Sequence, residues 1–543
     1  MSKRTHSPDI LPEAKRAHGL ESSSRHYISP RSFNALYDEV ILVIFSYLSY
    51  NDLCAVQSVN RDWARLTLDN QLWKSLYLTE YGRTRLRGVR GFIGRSDGRE
   101  TKPLPGRARH ELPDDFRDWR WMFRISSNWR TGRCSVETLQ PGLDAPPLIE
   151  PEIRGNHVLL AGSVTIATVV GCTVHPELLL ASPLHGTHNI SCQTPRSQAN
   201  TIITALALDQ APPPNAHDVL LAAFLSTGEF VILSINHHRP TQSVRQLTYL
   251  PTANVPRTTP IIQAAFHGRL LATLSQSFHL SLYDLSSGTI VHKQTLSSFT
   301  SYPPSSLVLT PAGSSTYRLI IAYAIPVFPA HWSVGATELI ITASIVVSSS
   351  RSIRAYDVPS GWIDEHKLRL VREQWGRRVA RVSDTQTDGK WVVLAPGDPP
   401  PRSTPESGDD SASDSASSSA SSFVASRLHS PSSLQLYRLY LPTAGSSQPR
   451  LSYVRSLHGQ IGPVTALALA DGRCVSLAAN GSIWAWDLEA GTGAEVFAGI
   501  GPFDEDGGLD LPGRHLGKGH VVFDERRIVS ADARGVEVRR FDI

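Results

Sequence analysis

The chain has 543 residues, 41% of them hydrophobic and 19% charged; single cores stop growing at about 250–300 residues, so at least two domains are expected. A formal net charge of +4 is too small for this length to make nucleic acid a default partner, and any basic patch is expected to be local. Cys54, Cys134, Cys172, Cys192 and Cys474 are scattered, with no C-x-x-C pair and no histidine at zinc spacing, which argues against a disulfide framework or a zinc finger and for a reducing compartment.

The N-terminal stretch MSKRTHSPDILPEAKRAHG lacks the apolar segment of a secretory signal, and it is too acidic and proline-containing for a transit helix, so export is not expected. Residues 1–30 are polar and aperiodic and are expected to form a disordered tail. Lys3-Arg4 and Lys15-Arg16 have the form of a bipartite nuclear address, which a solvated tail also produces by chance; the expected location is cytoplasmic and/or nuclear. The longest apolar run, Leu319 to Ala330, falls short of the roughly 20 residues a bilayer requires and contains Pro326 and Pro329, so no membrane partner is expected.

Residues 31–81 carry helical periodicity. In LYDEVILVIFSYLSYNDLCAVQSVNRDWARL, Val40, Ile44 and Leu48 recur at helical spacing beside Leu42 and Phe45, and this first helix is expected to stop near Ser49. Asn51 or Asp52 is placed to cap a second helix bearing Leu53, Val56 and Val59, and Asn60 a third bearing Trp63, Leu66 and Leu68. So small a unit cannot bury all of this apolar surface alone, and a partner is expected to cover part of it. The segment resembles the F-box: Leu36, Glu39, Ile41, Ile44, Phe45, Tyr47, Leu48, Asp52, Leu53, Val59, Arg61 and Trp63 fall on its pattern, and Leu72-Trp73 and Leu76-Tyr77 are similar to the element that follows it. Tyr37 stands where the family usually has proline. The resemblance implies that Leu36, Glu39, Ile41, Ile44, Phe45, Leu48, Leu53, Val59 and Trp63 bind a Skp-family adaptor and, through it, a cullin ligase. The competing reading is a generic helical hairpin packed on the rest of the chain.

Residues 82–133 begin as a Gly/Arg-rich connector and end in DFRDWRWMFRISSNWRTGRC, where Phe116, Trp119 and Phe123 share one helical face while Arg117, Arg120 and Arg124 alternate around it. An amphipathic connecting helix is expected, with Asn128-Trp129 at its end. Trp119, Arg124, Asn128, Trp129, Gly132 and Arg133 resemble the junction of F-box proteins that carry WD repeats, which implies that Trp119, Asn128 and Trp129 join the domains; Phe123, on the same helical face as Trp119, is expected at the junction with them. Arginines between aromatics also suit stacking on a nucleic-acid strand, but packing of the helix on its neighbour explains them with fewer assumptions.

Residues 134–543 read as an all-β domain of short β-branched runs cut by Gly, Pro, Asn and Ser. The unit LHGQIGPVTALALADGRCVSLAANGSIWAWDLEAG resembles a WD repeat: His458-Gly459 opens it, Val464–Leu469 and Cys474–Ala478 alternate as strands, Asn480-Gly481 turns, and Trp486-Asp487 closes it. Weaker copies end at Tyr283-Asp284, Tyr356-Asp357 and Phe541-Asp542, while the set from Ile202 to Leu208 and Val219 to Leu233 has lost its closing Asp. At about 40–45 residues per blade the domain holds about seven blades of a WD40-like β-propeller, with six or eight also compatible. Residues 396–433, rich in Ser, Asp and Pro, are expected to be a disordered insertion between strands; its serines are candidate phosphorylation sites of a kind common in such segments.

The expected fold class is therefore α plus all-β multidomain: a three-helix F-box, a connecting helix and a propeller. No G-x-S-x-G, Walker A, G-x-G-x-x-G, H-E-x-x-H or EF-hand pattern occurs. His185 with His188 and His237 with His238 lack a neighbouring Cys or carboxylate at ligand spacing and read as loop histidines. No cofactor, no metal and no catalytic residue is expected. The F-box/WD-repeat resemblance implies a non-catalytic substrate-recognition subunit of an SCF-type E3 ubiquitin ligase, for a protein substrate, phosphorylated or not, whose binding residues are unknown. The alternative is an F-box/WD-repeat scaffold acting outside a ubiquitin ligase.

Overall fold

The computed structural model describes residues 36–82, 118–141, 157–169, 175–195, 201–212, 217–251, 259–286, 288–313, 316–356, 361–397, 433–441, 449–470, 472–499, 519–532 and 535–543. The expected tail 1–30, the connector from 83, Phe116, Arg117, Cys172, Asp357 and residues 398–432 of the expected insertion lie outside them. The chain divides into two compact units, Met1–Leu72 and Trp73–Ile543. Among the described residues no helix is long and apolar enough to cross a membrane.

The first unit holds α1 (Asp38–Phe45), α2 (Tyr50–Val56) and α3 (Arg61–Leu66), and α4 (Asn70–Tyr77) begins in it. Asn60 caps α3 as expected: its backbone is extended and its Oδ1 accepts the Trp63 N–H at 2.8 Å. The cap of α2 is Ser49, neither Asn51 nor Asp52. Ser49 Oγ accepts the Asp52 N–H at 3.3 Å and donates its own proton to Asp52 Oδ2 at 2.7 Å, so the residue expected to cap instead completes a reciprocal pair from inside the first turn. Leu68 lies beyond α3, which ends at Leu66. Ile41, Phe45, Leu53, Leu66 and Leu72 are buried, and Trp63 meets the Phe45 ring edge-on at 5.7 Å.

In the second unit seven four-stranded antiparallel sheets follow one another as blades. Blade 1 covers 158–191, blade 2 203–249, blade 3 261–297, blade 4 302–354, blade 5 381–457, blade 6 464–497 and blade 7 520–540. The outermost strand of blade 7 comes from the start of the domain: Ser135–Pro141 pairs with Gly535–Arg540, from Ser135 opposite Arg540 to Pro141 opposite Gly535. Joining first and last strands in one sheet closes the ring without leaving an unpaired seam. Each neighbouring pair of blades shares one cluster of buried apolar side chains, from Leu180 with Leu233 between blades 1 and 2 round to Val158 with Val529 between blades 1 and 7. At the closing seam Arg527 of blade 7 is buried and donates to Gly162 O (2.7 Å), Ser163 O (3.0 Å) and Thr165 Oγ1 (3.2 Å) of blade 1 while pairing with Asp524 at 2.9 Å.

The repeat motif has a physical basis in blade 6. Trp486 Nε1 donates to Ser476 Oγ (2.8 Å), whose hydroxyl donates to Gln460 Oε1 (2.5 Å). All three are buried, and the chain ends on Gln460, two residues past the exposed His458 that was expected to open the repeat. Asp487 ends the third strand, and its Oδ1 accepts the N–H groups of Glu489 and Ala490, both at 3.0 Å; Asp284 does the same for Ser286 in blade 3. In blade 2 the position is Asn236, whose Oδ1 accepts the His238 (3.1 Å) and Arg239 (2.7 Å) N–H groups, so an amide makes the turn from which the Asp was missing. Tyr356, read as the end of a weaker repeat copy, follows Val347–Arg354, the fourth strand of blade 4, whereas Trp486-Asp487 ends a third strand.

Candidate interaction surfaces

The first surface belongs to α1. Its sequence DEVILVIF is apolar on both sides: Ile41 and Phe45 point into the unit, whereas Val40, Val43 and Ile44 are exposed, with Leu36 before the helix and Tyr47 after it. Tyr47 is 85% exposed and Val59, just after α2, 60%. A helix apolar all round belongs in a buried setting, so this face lacks its cover. The residues read from the sequence as one adaptor-binding set therefore separate. Leu36, Glu39, Ile44 and Val59 are on the surface; Leu48 and Trp63 are half-buried; Ile41, Phe45 and Leu53 are interior and shape the unit from within. Tyr37, at the position where proline is usual, has φ −64° and ψ 147°, and its carbonyl accepts the Val40 N–H at 3.0 Å. That φ is the value a proline ring would impose, so the turn into α1 keeps its shape. An exposed Arg65–Asp38 ion pair (2.6 Å) ties α3 to α1.

The second surface is internal to the larger unit and is organised by α5 (Trp119–Thr131), whose N-terminus is capped by Asp118 accepting the Trp121 N–H at 2.9 Å. The four residues expected at the junction divide between two faces of this helix. Trp119 and Phe123 are buried with Trp73 and Tyr77, the latter two from the C-terminal half of α4. Asn128 and Trp129 face the propeller: Asn128 Nδ2 donates to Phe541 O (2.8 Å), and Trp129 stacks on Phe541 at 4.2 Å and donates from Nε1 to Glu525 O (2.9 Å). Arg120 lies over Trp73, Arg526 over Trp121 and Arg473 over Trp129, so this aromatic–arginine alternation is met within the protein. At Gly132 the chain leaves the helix with φ +71°, and a Cβ there would run into Glu495 O, which accounts for glycine at that point.

The third surface lies on the opposite rim of the propeller. Strand direction alternates within a blade, so the second-to-third turns and the blade-to-blade connections leave on one face, and the first-to-second and third-to-fourth turns on the other. The contact of Trp129 with Glu525, in a first-to-second turn, puts α5 on the latter face. On the former, around blade 4, stand Phe299 (88% exposed), Phe328 (85%) and Trp362 (86%), with Tyr302 meeting Trp332 edge-on at 5.6 Å. The connection to blade 5 contains a helix that sequence reasoning missed, α6 (Glu365–Gly376), capped by Asp364 accepting the Lys367 N–H at 2.7 Å. None of its residues is buried, and Lys367, Arg369, Arg372, Arg377 and Arg378 outnumber Asp364, Glu365 and Glu373 on and beside it. The signal was an Asp cap followed by Leu368, Val371 and Trp375 at helical spacing.

Burial raises the pKa of the Cys134 and Cys474 thiols and pushes Cys192 up to about 12, which favours the protonated thiol in all three at neutral pH. His185 lies in the turn before the fourth strand of blade 1 and the half-buried His188 within that strand, whereas His237 and His238 are joined in space by His217.

Residues 34–79 match a family model described as F-box-like. The chain is 42% identical over 57 residues to F-box/LRR-repeat protein 5 of Xenopus laevis and 43% identical over 58 residues to that of Xenopus tropicalis. These stretches are 10% and 11% of this chain and 8% and 9% of the relatives, so the chain spans less than a tenth of the length of the curated relatives it matches. Two solved propellers, the C-terminal WD40 domain of Sif2 (11% identity, TM-score 0.36, 74% of this chain and 83% of that one) and the β-propeller of Myceliophteria thermophila Cps50 (Swd1) (12% identity, TM-score 0.36, 74% and 99%), are similar at a level that carries no argument. Residues 178–499, more than half of the chain, match the model described as F-box protein pof12 beta-propeller. With an F-box-like helical unit ahead of a closed ring of seven blades, the chain belongs to the F-box protein pof12 β-propeller family.

Proposed function

We propose that this F-box protein is the substrate-recognition subunit of an SCF-type ubiquitin ligase, its helical unit binding a Skp-family adaptor, and through it a cullin, while the propeller holds a protein substrate. The observation that carries the proposal is the exposed apolar face of α1 and its flanks, Leu36, Val40, Val43, Ile44 and Tyr47, on an F-box-like unit in which Val59 is exposed as well. Such a receptor supplies no reactive group: it holds a substrate lysine near a loaded ubiquitin carrier, raising the effective concentration of the two partners. The rim around Phe328, Trp362 and α6 is the substrate-facing candidate, and its exposed aromatics beside an excess of arginine and lysine fit an acidic segment bearing a large apolar side chain. Affinity purification of the full-length chain tests the proposal. Recovery of adaptor together with cullin supports it; recovery of adaptor without cullin favours an F-box/WD-repeat scaffold acting outside a ligase; recovery of neither removes it.

A further inference from the structure

Sequence spacing separates His217 from His237 and His238 by some twenty residues, and the fold of blade 2 removes that distance. Asp218–Leu225 and Phe230–Asn236 are paired strands with Asp218 opposite Asn236, and the ladder runs one step further through a hydrogen bond from His237 N to His217 O at 3.0 Å. His217 and His237 are thereby fixed across from each other, and His238 follows at once. The Asn236 turn holds the backbone at His238 (3.1 Å), Ser243 Oγ accepts the Asn236 N–H (3.1 Å), and Asn236 Nδ2 donates to Asp218 (2.9 Å). The three rings gather with centroids 4.2 Å (His217–His238), 4.9 Å (His237–His238) and 5.8 Å (His217–His237) apart, and one nitrogen from each lies within 4.8 Å of the other two.

We propose that His217, His237 and His238 form a binding site for a divalent transition-metal ion of the imidazole-preferring class, Zn²⁺ foremost. Zinc bonds imidazole nitrogen at about 2.0–2.1 Å, which in a tetrahedron places nitrogens about 3.3 Å apart. His237 is the fixed member: it is buried against the Gly162 turn of blade 1, where a Cβ would stand 3.3 Å from its Cγ, and Ser163 Oγ donates to its carbonyl. His217 and His238 are exposed, so their side chains are free of the packing that fixes His237, and the site requires them to turn their nitrogens inward from the present 4.8 Å grouping. Three neutral imidazoles favour zinc, copper or nickel over calcium or magnesium, which take oxygen. Their exposure leaves the fourth position to solvent or to a side chain of a bound protein. The ion would fasten the first-to-second turn of blade 2 to its third-to-fourth turn, on the face that also receives α5.

Full-length protein stripped of metal and titrated with Co²⁺ tests this directly. A visible absorption band that saturates at one equivalent, bleaches on adding Zn²⁺, and is lost in the His217→Gln/His238→Gln variant is the expected result. The His185→Gln/His188→Gln variant should keep the band. Zn²⁺ should raise the unfolding temperature of the wild type and leave the His217→Gln/His238→Gln variant where it was, since a ligand stabilises only the state that binds it. An equal band in that variant and the wild type, or a wild type that takes up neither metal at one equivalent, overturns the proposal.

Discussion

The helical unit and the propeller treat apolar surface in opposite ways. Around the propeller every blade-to-blade interface is filled by its own cluster, and Arg527 satisfies three acceptors across the closing seam. In the helical unit Ile41, Phe45, Leu53, Leu66 and Leu72 turn inward, but α1 also presents Val40, Val43 and Ile44 outward. The ring fills its interfaces from its own side chains; the helical unit keeps an exposed apolar face on α1. Substitutions in the first should be read as losses of stability, and substitutions on that face of the second as losses of binding.

The largest effect should come from breaking the packing of α5 on the ring. Trp129→Ala removes the stack on Phe541 and the bond to Glu525 O, and the loss of a buried tryptophan should cost about 3–5 kcal/mol, read as a lower denaturant midpoint for the main unfolding transition. Gly132→Ala comes next: the left-handed backbone and the carbonyl of Glu495 both oppose a side chain, and about 1–3 kcal/mol should be lost by the same measurement. Ser49→Ala removes the cap of α2 and should cost the helical unit about 1 kcal/mol, seen as faster amide exchange in residues 50–56 with the propeller unchanged. At the small end, Trp362→Ala should shift stability by less than about 0.5 kcal/mol because the side chain is almost wholly in solvent, while reducing capture of an acidic partner peptide in a pull-down.

How much of this was legible in the sequence varied with the range of the interaction that fixes it. The three helices of residues 38–66 follow from local spacing and an Asn60 cap, and the all-β texture of the rest follows from its β-branched runs. The α2 cap was read two or three residues late because Ser49, Asn51 and Asp52 are all competent caps, and only backbone geometry decides among them. The repeat was clear in blade 6, where Trp486 and Asp487 both hold their places, and faint in blade 2, where Asn236 does the work of an Asp. Which F-box positions face outward was not legible: Ile41 and Ile44 are equally apolar in sequence, and three residues of helix put one inside and one on the surface. His217 was invisible as a neighbour of His237 because the contact depends on strand register, which spacing along the chain does not reveal.

The central claim, that the outward face of α1 docks a ligase adaptor, is tested most directly by affinity purification of full-length Leu36→Ala/Ile44→Ala beside the wild type, with thermal unfolding of both. Both side chains are exposed, so the unfolding of the propeller should not move, while truncating two interface anchors at about 1–4 kcal/mol each should strip adaptor and cullin from the purified protein. A variant that unfolds as the wild type does and still brings down adaptor and cullin at wild-type levels would contradict the account.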